Sequence, residues 1–260
     1  MFSLIKDFFY LVFYQPLLNI LAVLVLVLPG HSFGAAIILL TVFVNTILLP
    51  FSHKAKHSQK KIQELHGEFE KIKRQFKDKR EELARRQLEL YREHGISLSS
   101  QIILPLIQIP LFISLYSILQ QNGDFFASGI YSFLPHIPNP NPYFLGLIDL
   151  SQAGVVFHMS PTFVFSIVSI SNIALALLAA VLQYIQFSYL TPPSTTSTKT
   201  QKDESFGAMM QKSMKINFPI IIFILGVTLP AALALYWTVM NIFGIVHEKV
   251  VLWKQPQQYN

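Results

Sequence analysis

Long apolar stretches follow one another along this chain and are interrupted by one strongly polar segment. Three of the apolar stretches comprise residues 33–51, 100–121 and 161–190. Each is long enough to cross the roughly 30 Å hydrocarbon core of a bilayer as a helix. The last stretch, residues 216–250, would reach about 52 Å as one helix, which is too long for a single crossing. We therefore predict that residues 213–250 form two short spans that meet near Pro230. The predicted fold is an all-α integral membrane protein with a five-span helical bundle.

The polar segment, residues 52–99, has the apolar spacing of paired helices. Its apolar residues are separated by three and four positions, as in the seam of a coiled coil. These residues are Ile62, Leu65, Phe69, Ile72 and Phe76 in the first half, and Ala84, Leu88 and Tyr91 in the second. Charged residues at positions 77–80 separate the halves, and Gly95 is a suitable helix C-cap. The segment is therefore predicted to fold as an antiparallel coiled-coil hairpin whose two ends return to one membrane face.

Basic residues are concentrated in this hairpin. Thirteen of the 20 Lys and Arg residues lie between His53 and His94, whereas residues 122–160 contain none. Short loops that are rich in Lys and Arg remain in the cytoplasm. The hairpin, the linker at residues 191–212 and the tail at residues 251–260 are therefore predicted to be cytoplasmic, and residues 122–160 to form an outer loop.

The N-terminal segment, residues 1–32, allows two interpretations. Residues 8–28 are apolar and long enough to form a sixth spanning helix, but they also suit an amphipathic helix that lies in the membrane interface. Pro16 either kinks a continuous helix or begins a new one. The sequence leaves both interpretations open.

The composition agrees with a membrane protein and disfavours several other classes. The chain is 52% hydrophobic and 13% charged, against about 25% charged residues in soluble domains. Because cysteine is absent, the chain can form neither disulfides nor thiolate metal sites. His53 and His57 lack an acidic third ligand nearby, so we predict no metal site, and no nucleophile–base constellation is visible. The acidic residues interleaved in the basic hairpin favour attraction to anionic lipids over recognition of a specific nucleic-acid sequence.

A series of short motifs runs in order along residues 14–250. The motifs occupy residues 14–17, 34–41, 49–50, 57–62, 104–112, 144–146, 149–151, 229–232 and 235–238, followed by Asn241. In this order they resemble the YidC family of membrane-protein insertases, with its mitochondrial and chloroplast relatives. Each motif alone is weak, whereas the whole series is specific. The length of the chain resembles the short bacterial form, without the large outer domain of some members.

The resemblance implies a function. Members of the family lack enzymatic activity, need no cofactor, and offer nascent membrane proteins a polar groove that helps them insert and fold. The expected partners are nascent membrane proteins, the ribosome and anionic lipids, with the Sec translocon as a further candidate. The expected location is the bacterial plasma membrane, with the C-terminus in the cytoplasm. The positions that match the groove are Thr41, Asn45, Gln108, Tyr236, Trp237 and Asn241.

One of these positions departs from the family pattern. Members typically carry an Arg in the first core span, where this chain has Asn45. An amide forms hydrogen bonds and hydrates a cavity, but it does not attract a carboxylate as a guanidinium does. A paralogue that acts only as an assembly chaperone is therefore one alternative. A small transporter or channel is another; it predicts intramembrane charges or an inverted repeat, and we find neither in the sequence.

The candidate residues also have purely structural interpretations. Asn45 and Thr41 share a helix face and suit an interhelical hydrogen bond. Gln108 stands between two prolines and can bond the carbonyls that they leave unpaired. The aromatic pair on the last span suits anchoring at the membrane interface. Outside the candidate set, Asn172 and Gln183 are predicted to make packing contacts.

Overall fold

A computed structural model describes residues 2–76, 79–96, 98–120, 126, 129–160, 163–190 and 206–253, and this part of the chain is mostly helical. The α-helices are α1 (Phe2–Phe9), α2 (Gln15–Val27), α3 (Phe33–Ile47), α4 (Leu49–Glu64), α5 (His66–Gln75), α6 (Arg80–Glu93), α7 (Leu98–Leu119), α8 (Ile170–Leu190), α9 (Phe206–Thr228) and α10 (Ala231–Trp253). A π-helical turn, Tyr10–Tyr14, joins α1 to α2, and a 3-10 turn, Pro29–His31, follows α2.

Two small antiparallel sheets accompany the helices, and the chain divides into two compact units. One sheet pairs β1 (Tyr143–Phe144) with β2 (Ile148–Asp149), and the other pairs β3 (Val155–Ser160) with β4 (Phe163–Val168). The first unit comprises Met1–Asn45 and Ile113–Asn260, and the second comprises Thr46–Phe112. The two units are described separately below.

Several helices have the length and composition of membrane spans. In the described ranges, three qualify: Leu4–Val27, Ile170–Ser188 and Ala231–Val250. A fourth crossing arises if Phe33–Ile47 and Leu49–Ile62 act together as one broken span. The apolar helices Leu106–Leu119 and Lys215–Thr228 are shorter. Helix length therefore supports a multi-pass membrane protein, whereas the five-span count stays a prediction. The N-terminal segment, for which two interpretations were open, is helical and long enough to span.

The prediction of an all-α fold is wrong around residues 155–168. There β3 and β4 form an antiparallel ribbon that begins with Val155 opposite Val168. As a result, α8 begins at Ile170 and not near residue 161. Both strands are rich in valine and aromatic residues, which favour an extended backbone. Hydrophobicity alone does not distinguish such an apolar run from the start of a membrane helix.

Other predicted boundaries also shift. The helix α9 begins at Phe206, so the last part of the predicted linker is helical. The remainder of that linker, residues 191–205, lies outside the described residues, as do residues 254–260 of the predicted tail. Positions 122–125 and 127–128 of the predicted outer loop, and positions 161–162 of the predicted third span, are likewise outside the described ranges.

In the first unit, α8, α9 and α10 pack as a bundle. Gly226 of α9 lies against Ala176 of α8, so that a Cβ on this glycine would be 2.9 Å from the Ala176 Cβ and 3.6 Å from the Ala234 Cβ of α10. Small residues at a helix crossing let the backbones approach closely in membrane proteins. Pro230 separates α9 from α10 at the predicted break, because proline has no N–H with which to continue a helix.

In the second unit, α5 and α6 form a helical hairpin. Its buried cluster consists of Leu65, Leu90, Tyr91 and Ile96, with the partly buried Ile62, Phe69 and Ile72 packed against it. Residues at the start of α5 thus meet residues at the end of α6, which makes the two helices antiparallel. The predicted stripe on α6 is correct at Tyr91 but wrong at Leu88, which is 40% exposed, whereas Leu90 is buried. Gln87 lies on the packed face and donates a hydrogen bond of 2.9 Å to the hydroxyl of Tyr91.

Charges along α6 partly neutralise one another. The Glu89 carboxylate accepts hydrogen bonds from Arg85 Nε at 3.1 Å and from Arg86 at 3.0 Å. The hydrogen bond from Arg85, together with the positive charges of both guanidinium groups, holds the pKa of Glu89 below its ordinary value. The basic surface of the hairpin therefore carries less free positive charge than its residue count indicates.

Candidate functional site

The groove residues predicted on α10 lie inside the helical bundle. Every residue from position 231 to position 238 is buried, and Tyr236 and Trp237 expose only 6% and 7% of their surface. Interfacial anchoring would place the rings where lipid headgroups meet water. The burial of both rings instead makes them part of the packed interior of the bundle.

Asn241, also on α10, makes a direct contact with α8. Its side chain is completely buried, and Nδ2 donates a hydrogen bond of 3.1 Å to the backbone carbonyl of Ala179. Its other polar atom, Oδ1, is buried and has no hydrogen-bond partner. Because flipping the amide would place Oδ1 against the Ala179 carbonyl, this orientation is fixed. Asn241 therefore presents an acceptor to the interior of the bundle.

The two candidates on α3 bond to their own helix. Thr41 is 1% exposed, and its hydroxyl donates to the carbonyl of Ile37 at 2.6 Å. The side chain of Asn45 is half-buried, and Nδ2 donates to the carbonyl of Thr41 at 2.8 Å. These bonds join neighbouring turns of α3. Both side chains therefore donate within α3, and neither of these donors forms the interhelical hydrogen bond that the sequence analysis considered.

Gln108 lies on α7 in the second unit, where it is half-buried. The six candidates thus come from three helices, and the structure joins Thr41 to Asn45 directly. Further along α7, in the first unit, the hydroxyl of Ser114 is buried without a hydrogen-bond partner. The sequence reasoning did not select Ser114, because a serine in an apolar helix commonly bonds its own backbone, as Ser117 does with the carbonyl of Ile113.

Sequence reasoning also missed the polar face of α8. Asn172, Gln183 and Gln186 recur with Ala176 and Ala179 at intervals of three and four residues, so all five share one side of the helix. Asn172 and Gln183 are buried, and the amide oxygens of all three polar residues are buried without partners. The burial of Asn172 and Gln183 agrees with the packing contacts predicted for both residues. The interval of three and four residues is visible in the sequence, but it does not reveal which face of α8 packs against other helices.

A loop holds the beginnings of α8 and α10 together; we call it the capping loop, residues 141–154. The Nδ2 of Asn172 donates to the carbonyls of Asp149 at 3.2 Å and Gln152 at 3.1 Å. The first backbone N–H of α10, on Ala231, donates to the same Gln152 carbonyl at 2.9 Å. The next N–H, on Ala232, donates to the carbonyl of Leu150 at 3.0 Å. The first N–H groups of a helix have no acceptors inside their own helix. The carbonyls of the capping loop are the acceptors for α10.

The capping loop is itself held by Asp149. One carboxylate oxygen accepts hydrogen bonds from the backbone N–H of Ser151 at 3.0 Å and from its hydroxyl at 2.6 Å. The other oxygen accepts from Nε2 of Gln152 at 2.8 Å. A carboxylate at the start of a turn commonly bonds the backbone two residues on. Asp149 thereby fixes the carbonyls that receive α10.

The described residues contain no group of three or more His, Asp or Glu side chains that could hold a metal ion. His53, one of the two histidines considered in the sequence, is exposed on α4, and His57 is exposed one turn later. The chemistry that the described polar residues offer is therefore hydrogen bonding, chiefly by side-chain amides inside an apolar bundle.

Comparison with known proteins matches nearly the whole chain. The profile of the family described as "60Kd inner membrane protein" matches residues 25–258. A protein of Pelobacter propionicus named "Membrane protein insertase YidC" is 26% identical over 82% of this chain and 34% of its own length. A protein of the same name from Clostridium tetani is 26% identical over 88% of this chain and 85% of its own length. One from Aeromonas salmonicida is 28% identical over 85% of this chain and 33% of its own. The chain thus spans about a third of the length of several of these relatives.

Proposed function

This chain belongs to the 60Kd inner membrane protein family, that of the YidC insertases, and we propose on that premise that it inserts nascent membrane proteins into the bacterial plasma membrane. The observation that carries the proposal is the set of buried, uncharged polar side chains on helices of membrane-span length. Asn172 and Gln183 on α8 and Asn241 on α10 belong to this set. Polar residues inside membrane spans are costly, so they mark functional sites by default.

In the proposed mechanism, a polar groove lowers the free energy of moving a client through hydrocarbon. Its walls are the residues Thr41, Asn45, Gln108, Tyr236, Trp237 and Asn241. The hydrophobic segment of the client moves along the second and last core spans into lipid. Its polar flank forms hydrogen bonds in the groove during the passage, which offsets the cost of removing polar groups from water. Binding and hydrogen bonding suffice for this activity, without covalent catalysis.

The proposed topology places five spans across the membrane, with α7 and α9 counted as spans and the α5–α6 hairpin and the C-terminus in the cytoplasm. The positive-inside rule supports this orientation, because the hairpin carries most of the Lys and Arg residues. In the cytoplasm, the hairpin is available to anionic lipids and to the ribosome. The Sec translocon is a further proposed partner, since nascent membrane proteins also pass through it.

An assembly chaperone that does not insert clients is the second candidate function. The observation that favours it is Asn45, a neutral residue whose side-chain amide donates to its own helix. Such a residue provides no fixed positive charge for a client with an acidic tail. A transporter or channel is a third candidate; the 19-residue span Ile170–Ser188 contains none of the charged residues that this function predicts.

Site-specific photocrosslinking to stalled nascent chains tests the groove. Probes replace Gln108 and Trp237, and the matched control is Leu177, which is 54% exposed on the apolar surface of α8. We expect crosslinks from the first two positions to the nascent membrane segment and few from the control. If all three positions stay silent while insertion depends on the protein, the groove assignment is wrong. Insertion that proceeds equally well without the protein would favour the chaperone.

A further inference from the structure

The turn between β1 and β2 carries two leucines that the described part of the chain leaves uncovered. The turn comprises Leu145, Gly146 and Leu147, and the backbone N–H of Leu147 donates to the carbonyl of Phe144 at 3.2 Å. Leu145 is 77% exposed and Leu147 is 78% exposed. We call these two residues the leucine tip. Single exposed leucines are ordinary on a protein surface, but two at one tight turn form a small apolar projection.

The backbone of Leu145 makes leucine an unfavourable residue at this turn. Its φ is +53°, and the φ of Gly146 is +71°. Two successive positive φ angles are those of a type I′ turn, in which Asn-Gly is a favoured pair because both residues tolerate the left-handed region. An exposed asparagine would suit the turn and water alike. Leucine at this position therefore indicates an interaction outside the turn.

The leucine tip is fastened to the beginning of α8. The hydroxyl of Ser171 donates to the backbone carbonyl of Leu147 at 3.2 Å. One residue later, Nδ2 of Asn172 donates to the carbonyl of Asp149. The candidate membrane span of α8 begins at Ile170, which is 82% exposed. The carbonyl of Leu147 therefore lies beside the first turn of this span, where the hydrocarbon of a bilayer meets its headgroups.

The residues near the leucine tip suit an uncharged surrounding. Residues 122–160 contain no Lys or Arg. The carboxylate of Asp149 accepts hydrogen bonds from Ser151 and Gln152 of its own loop. Tyr143, at the start of β1, is 54% exposed, and tyrosine combines an apolar ring with a polar hydroxyl, which is typical of the boundary between membrane and water. These features match the surface of a lipid leaflet better than a charged macromolecule.

We propose that the leucine tip inserts into the outer leaflet of the membrane and anchors the beginning of α8 there. The partner is lipid, because the tip is bonded to the first turn of a helix of membrane-span length. Its side chains leave water for the acyl-chain boundary, which is favourable for apolar surface. The capping loop, which includes the tip, also receives the first N–H groups of α10. The anchor therefore fixes the depth of both helices.

Such an anchor is independent of insertion activity and would serve any function of the bundle. The proposed topology only assigns it to the outer leaflet.

Nitroxide labels on single cysteines test the anchor, and the chain has no cysteine of its own. Leu145→Cys and Leu147→Cys are labelled in the purified full chain in lipid nanodiscs. Collisions with oxygen, which concentrates in lipid, are compared with collisions with a nickel chelate, which stays in water. Leu177→Cys on the apolar surface of α8 is the lipid reference, and Leu88→Cys on the exposed surface of α6 is the aqueous reference. We expect both tip labels to give an oxygen-to-nickel ratio several-fold above that at position 88.

A second measurement tests the effect of the tip on α8. A label on Ile170→Cys reports the depth of the first residue of this helix. Replacing both leucines of the tip by Asn suits the turn but removes its apolar side chains. This change should lower the oxygen-to-nickel ratio at position 170 toward that of the aqueous reference. The matched control is Leu88→Asn, which should leave the ratio at position 170 unchanged.

Tip labels that are as open to the nickel chelate as the label at position 88 would place the tip in water and overturn the proposal. Labels shielded from both reagents would also overturn it, because protein would then cover the tip, and dipolar broadening between labels would identify a second copy of the chain. An unchanged ratio at position 170 in the double asparagine variant would exclude an anchor. If Leu145→Cys does not fold, Leu147→Cys, whose φ is not positive, provides the same comparison.

Discussion

The side-chain amide of Asn241 donates a hydrogen bond to the backbone carbonyl of Ala179, 62 positions earlier in the chain. This bond fixes the register of α8 against α10, because it joins one particular residue of each helix. It also leaves the remaining amide oxygen of Asn241 buried without a hydrogen-bond partner. A single residue thus joins two candidate spans and places an acceptor inside the bundle.

Replacing Asn241 by Leu should destabilise the protein only modestly. Interhelical hydrogen bonds in membrane proteins average about 0.6 kcal/mol, and the substitution also removes a buried acceptor that has no donor. We expect a loss below about 2 kcal/mol with a cooperative unfolding transition, measured by thermal denaturation in nanodiscs. Ser188→Ala is the control. A loss of stability well above that of an ordinary interhelical bond would show that Asn241 supports more than its contact with Ala179.

Gly226 should tolerate no larger side chain. Because a Cβ there would lie 2.9 Å from the Ala176 Cβ and 3.3 Å from the Ala176 backbone, Gly226→Ala must push α8 and α9 apart. We expect a loss of about 1–3 kcal/mol, as for other overpacked sites. The matched control is Gly67→Ala on α5, where a Cβ would meet nothing within 4 Å. There alanine should stabilise the helix by up to about 1 kcal/mol. Equal effects of both substitutions on Tm would contradict the packing at Gly226.

The titration of Glu89 should occur below its ordinary pKa of 4.5, chiefly because Arg85 bonds its carboxylate. A carboxyl whose folded-state pKa is lowered contributes stability above its unfolded-state pKa and loses it as pH falls through the folded value. The loss therefore occurs at pH values below about 4.5. The midpoint can be followed by NMR of ¹³C-labelled glutamate. Arg85→Gln should raise the midpoint, whereas Arg92→Gln, on the same helix, should leave it unchanged.

Asn45→Arg should broaden the range of clients. A guanidinium in the first core span attracts carboxylates, which an amide does not. We expect greater insertion of clients with acidic tails and unchanged insertion of clients with neutral tails, measured by protease protection of translocated tails. Asn45→Gln keeps an amide and is the control. If the arginine variant treats acidic and neutral tails alike, charge attraction at this position has no part in insertion.

The sequence allowed the positions of helices to be predicted better than the faces on which they pack. The break near Pro230 and the apolar stripe around Leu65 follow from local chemistry, namely the missing N–H of proline and the spacing of large apolar residues. On α6 the stripe was misassigned to Leu88, because both Leu88 and Leu90 fit a helical repeat and only the contact with α5 decides between them. The ribbon near Val155 was missed because an apolar, β-branched run suits both a strand and a membrane helix.

For the candidate site, too, the location of residues in helices was predicted better than their contacts. Thr41 and Asn241 were selected as polar residues inside apolar helices, and both are buried there. Their partners were not predictable, since a hydrogen bond within α3 and one between α8 and α10 leave the same pattern in the sequence. Gln183 and Gln186 were undervalued for a related reason. An amide that packs against a backbone and an amide whose oxygen lacks a donor differ only in the three-dimensional arrangement.

The carbonyl of Gln152 receives both the side chain of Asn172 on α8 and the first N–H of α10. If two helices share one anchoring atom at their ends, they can separate only by rotation about that atom. At the far end of α8, roughly 30 Å away, a rotation of about 10° would open a gap of about 5 Å. The contact between α8 and α10 is therefore fixed at the capping loop, and any separation of the two helices would grow with distance from it.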